Sequence, residues 1–115
     1  MAGPSSLKPY GSSLPPDLLP LVPLLERWDV GDDVVRWGQI QAASSEELRA
    51  LVRTVWPLFD AINRYLDEPR ETETVDEAPL LWLSEAAAEA RIELEARGAD
   101  GDLPPYSTVS GVSPK

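Results

Sequence analysis

The sequence reads as an all-α domain, a small compact bundle of three to four helices, on three observations. Apolar residues recur every three or four positions through Leu48–Leu66 and again through Leu80–Leu94, the period of a helix face. Capping residues stand where helical runs begin: Asp32 before one, and Ser44 with Glu47 three residues later before another. Gly98 follows the last apolar run, where a helix would end.

The 115-residue chain divides by composition. Residues 1–16 and 99–115 are rich in Gly, Pro and Ser and short of large apolar side chains. They read as flexible segments, because they bury too little to offset the entropy lost on ordering. The helical domain is set at residues 17–98, about 80 residues around one core.

Within it, Leu18, Leu21, Val22, Leu25 and Trp28 fall near helical spacing. Pro20 and Pro23 restrict the start of that helix to the neighbourhood of Pro20, and Asp29-Val30-Gly31 ends it. A second, short helix is expected over 33–42 with Asp32 as its cap and Val34, Val35, Trp37 and Ile40 as its apolar residues. Its two β-branched residues and Gly38 make it dependent on packing.

The third helix carries Leu48, Leu51, Val52, Val55, Phe59, Ile62 and Leu66 on one face and Arg49, Arg53, Asp60, Asn63 and Arg64 on the other. Ser44 and Glu47 form a reciprocal capping box at its start. Pro57 removes one hydrogen bond, and the continuing rhythm predicts one bent helix. An acidic connector follows over 67–78. The last helix is predicted from Pro79 to Arg97, with a seam of Leu80, Leu83, Ala87, Ala90 and Leu94 broadened by Leu81, Ala88 and Ile92.

Charge and composition narrow the function classes. Ten bases against twenty acids give a net charge of −10, which repels phosphate backbones and argues against nucleic acid as a partner. Twelve acids and three arginines lie between Asp67 and Asp102, so most of the surplus is concentrated there. The apolar run Leu18–Leu25 is broken by two prolines and too short to cross a bilayer, so no membrane association is expected. With no secretory pattern at the start, cytoplasmic residence is the expectation. Eight Arg against two Lys, with abundant Ala, Asp and Glu, fit a GC-rich bacterial genome.

The chain has no Cys and no His. Thiolate nucleophiles, Ser-His-Asp triads and imidazole or thiolate metal sites therefore cannot be built from it. Gly31 and Gly38 stand alone, so there is no phosphate-cradling loop. Neither an enzyme nor a cofactor or metal is expected. Asp32-Asp33 reads as a helix cap in preference to a cation site. Asp100-Gly101-Asp102 lacks the remaining ligands of a calcium loop. The stripe Glu85, Glu89, Glu93 reads as a solvated helix face, although in a dimer it could meet its own copy around a metal.

Four tryptophans are the unusual feature. Trp28 and Trp37 read as core. Trp56, beside Pro57 and off the main seam, and Trp82, on the Ala86/Glu89 side of the last helix, are candidates for a partner contact. With Glu85, Glu89 and Glu93 they form the expected partner-binding set. The expected function is a non-enzymatic acidic interaction module, of the regulator, inhibitor or immunity type, binding a basic protein or its own copy. The alternative is a small-molecule-binding helical domain with a tryptophan-lined apolar pocket.

Overall fold

The computed structural model describes residues 10–69 and 74–105. The expected loose segments fall in part on residues 1–9 and 106–115, and the acidic connector in part on 70–73, all outside the described residues.

The first helical element among the described residues is a 3-10 helix, Pro16–Leu21, that runs directly into α1, Val22–Arg27. Sequence spacing predicts a start near Pro20, whereas regular α-helix begins two residues later. Pro20 donates no hydrogen bond, so the chain keeps the tighter turn until it has passed that residue. Pro23 sits in the first turn of α1, where its missing N–H costs nothing. Leu18, Leu21, Leu25 and Trp28 are fully buried.

Helix α2 spans Asp33–Ala42, and Asp32 caps it by accepting from the amides of Val34 and Val35 at 2.9 and 3.0 Å. Its buried side is not the predicted one. Arg36 and Ile40 face inward, Trp37 is half-buried, and Val34 and Val35 are 83% and 51% exposed. The reason is electrostatic: a guanidinium with carboxylate partners on the neighbouring helix takes the inward position and turns the valines out.

Helix α3 spans Ser45–Val55 and α4 spans Phe59–Asp67. The single bent helix expected here is instead two α-helices joined by a 3-10 turn, Trp56–Leu58. Pro57 leaves the Arg53 carbonyl without its donor, and the backbone tightens over one turn before α-geometry resumes. The capping box is half formed. Ser44 Oγ accepts from the Glu47 amide at 3.0 Å, but the Glu47 carboxylate accepts from Arg27 Nε at 2.9 Å and not from the Ser44 amide.

Helix α5, Glu77–Arg97, is the longest and the centre of the bundle: it packs against α3 and also against α1, α2 and α4. It ends in a Schellman motif, with Gly98 at φ 70° and the amides of Gly98 and Ala99 bonded to the carbonyls of Glu95 and Leu94. The seam residues Leu80, Leu83, Ala87, Ala90 and Leu94 are fully buried, as the spacing predicts. The seam is broadened by Ala86 and Arg91, not by the residues expected. Leu81 and Ile92 are 42% and 58% exposed, and Ala88 is also on the outside.

Residues 10–13, placed by composition in the N-terminal segment, are tied to the start of α5. The buried Asp76 carboxylate accepts from the amides of Gly11 and Ser13 and from Ser13 Oγ, at 2.8, 3.0 and 2.7 Å. The Tyr65 hydroxyl lies 2.6 Å from both Ser13 Oγ and Thr74 Oγ1. Gly11 has φ 89°, and a Cβ there would sit 2.7 Å from Val22 Cγ2, so this turn requires glycine.

Candidate partner-binding surface

The most concentrated polar construction in the fold joins α2 to α5 around Arg36, whose side chain is completely buried. Its Nε donates to Glu89 at 3.1 Å, and Nη1 donates to the Val30 carbonyl at 2.8 Å. Nη2 donates to Asp33 and, at 3.0 Å each, to Glu85 and Glu89. The hydrogen bond that the guanidinium donates to Glu89 holds its pKa above its already high ordinary value, against the desolvation that lowers it.

Local sequence explains why the parts meet. Glu85 and Glu89 are one turn apart on α5, so both carboxylates point to the same side. Asp33 is one turn before Arg36 on α2. Val30 comes from the turn between α1 and α2, which is pressed against α5 by Trp82: a Cβ on Gly31 would lie 3.3 Å from the indole. One cation among three carboxylates leaves a local surplus of two negative charges. Asp33 is 78% exposed and Glu85 45% exposed, so that surplus is presented to solvent. Val34, Val35, Leu81 and Ile92, the exposed apolar residues of α2 and α5, belong to the two helices that this cluster ties together.

The expected partner-binding residues are thus divided. Glu85 and Glu89 come together at Arg36. Glu93 belongs elsewhere: it accepts from Arg97 Nε at 2.9 Å, and Arg97 continues to Ser45 Oγ and the Gln41 carbonyl at 3.0 Å each, fastening the end of α5 to the α2–α3 junction. Trp82 is half-buried and braces the α1–α2 turn. Trp56 is 7% exposed, with its ring 4.7 Å from that of Phe59 and beneath the Arg91 guanidinium at 4.6 Å, so it is core and not an outward contact. It stands at the edge of the seam, and its large ring reaches inward from there. Arg36, Asp33 and the outward apolar residues were not in the expected set. The signal for Arg36 was available, because it precedes the buried Ile40 by one turn and so shares its face.

The surface clefts formed by the described residues include two that are open to solvent. One, about 770 Å³, lies between Ser13–Asp17 and α4 and is lined by Ala61, Arg64, Tyr65, Asp67 and Glu68 on the helix side. The other, about 430 Å³, lies between α3 and the turn after α5, with Arg49 and Arg53 in its wall. Neither is lined by a tryptophan. Among the described residues no group of three or more acidic side chains is arranged to hold a metal ion, and no helix is long and apolar enough to cross a membrane. Comparison with protein-family models, with curated proteins and with solved structures gives no match.

Proposed function

We propose that this protein is a non-enzymatic interaction module that binds a basic protein partner through the α2/α5 face. The observation that supports this most directly is the Arg36 cluster. Its three carboxylates are held in place by a buried guanidinium and leave uncompensated negative charge beside exposed apolar side chains. Preset charge of this kind steers an oppositely charged partner and fixes its register. A second copy is the weaker occupant, since each chain carries a net charge of −10 and would bring the same acids face to face. Cytoplasmic residence belongs to the same proposal.

The test is affinity capture with the full chain, wild type against an Asp33→Asn/Glu85→Gln variant that keeps Glu89 on Arg36. The expected result is a basic protein retained by the wild type, released at moderate salt and lost with the variant. Retention of the same protein by both chains would refute the assignment of this face. Capture of nothing would refute the function.

A further inference from the structure

Along the outward side of α5, Leu81, Ala88 and Ile92 follow one another at intervals of seven and four residues, which places them on one line of the helix surface. With Glu85 the line runs large apolar, acidic, small, large apolar. Ala88 is exposed and has the shortest side chain of the line, so the helix surface dips there between Glu85 and Ile92, and the stripe extends about 17 Å, three helical turns. Glu85 lies on the same line between Leu81 and Ala88, and beside it Glu89 and Asp33 converge on Arg36. The stripe is therefore apolar at Leu81, Ala88 and Ile92, and acidic at Glu85 and along the edge that borders α2.

We infer that this stripe seats one amphipathic helical segment of the basic partner, with a large apolar side chain in the dip at Ala88 and a lysine or arginine over Glu85. This rests on the interaction reading above. The occupant follows from shape and charge together. A straight line three turns long with a dip at Ala88 fits the side-chain ridge of another helix. The acidic edge selects one whose polar face is cationic. A second copy of this chain would set Glu85 and the surplus charge of the Arg36 cluster against their own equivalents.

The experiment uses the full chain and two fluorescently labelled peptides of identical Lys/Leu composition. One places its leucines at helical spacing over about 14 residues, long enough to cover the stripe. The other has the same residues in an order that breaks the spacing. Anisotropy titration at low salt is expected to show the amphipathic peptide binding about tenfold more tightly than its scrambled counterpart. Ala88→Gln, an exposed and helix-compatible change that fills the dip, is expected to remove that preference and leave the weak charge-driven binding. Far-UV circular dichroism checks that the variant is folded.

Equal affinity for the two peptides, or a preference indifferent to Ala88→Gln, would overturn the helical seat and leave the basic-partner reading standing. Failure of both peptides while affinity capture still retains a basic protein would also overturn the seat alone. Failure of both experiments would overturn both proposals. A dimer in sedimentation that Ala88→Gln dissociates would assign the stripe to a second copy and likewise overturn the inference.

Discussion

Arg36→Ala is the perturbation on which the description of the α2/α5 junction depends most. The side chain is fully buried and donates to three carboxylates and one backbone carbonyl. Removing one member of a buried ion pair costs about 3–5 kcal/mol, because the other is left uncompensated. Here the acids lie at the solvent boundary, with Asp33 and Glu85 substantially exposed, and can recover hydration, which brings the electrostatic part to about 2 kcal/mol. The Val30 carbonyl loses its donor, for about 1 kcal/mol more. The expected loss is about 3 kcal/mol, or a fall of about 15 °C in Tm for a domain of this size. Arg36→Lys is expected to recover only part of it, since one ammonium cannot span the Glu89 carboxylate and the Val30 carbonyl together.

Urea unfolding followed by tryptophan fluorescence measures this directly. Trp28 is fully buried and Trp56 nearly so, and both report on the core. A loss below about 1 kcal/mol for Arg36→Ala, the range of ordinary surface ion pairs, would refute the claim that this guanidinium organises the junction.

Asp76→Ala should release residues 10–13 by stranding the Gly11 and Ser13 donors, at a cost of about 3 kcal/mol. Amide exchange at Gly11 and Ser13 should become fast, and unchanged protection there would contradict it. Tyr10 donates to Asp29 at 2.7 Å, and burial first, then Asp29, push its phenol pKa above the ordinary value of about 10. A raised folded pKa means the stabilisation is complete below about pH 10 and is lost as pH rises through the folded value. Tyr10→Phe should therefore remove one late-titrating phenol from the ultraviolet titration and flatten the alkaline fall in stability. Loss of a phenol that titrates at the ordinary value of about 10 would exclude the contact.

The legible part of the fold is the part that rests on apolar periodicity and caps. Leu48, Leu51, Val52 and Val55 on α3, and the Leu80–Leu94 seam of α5, are buried as their spacing predicts. Asp32, Ser44 and Gly98 terminate helices where they stand in the sequence. The α2 face was misread, because hydropathy ranks Val34 and Val35 as core and Arg36 as surface. The local signal that opposes that order is the i, i+4 spacing of Arg36 and Ile40, and the partners that make burial of Arg36 favourable, Glu85 and Glu89, are tertiary. The same information was missing for the glutamate stripe: Glu85 and Glu89 serve Arg36, while Glu93 serves Arg97. Trp56 escaped because it lies off the seam, where helix geometry alone cannot say how far a large ring turns inward. Leu81, Ala88 and Ile92 looked like extra core width, yet the neighbours of α5 cover the other side.

The α2/α5 face is the centre of the functional account, and an amide chemical-shift map of the full chain titrated with the amphipathic Lys/Leu peptide tests it most directly. The expected shifts concentrate on Asp33–Arg36 and on Leu81–Ile92 and weaken with salt. Shifts centred instead on the α4 cleft around Arg64 and Tyr65, or on Arg49 and Arg53 of α3, would contradict it.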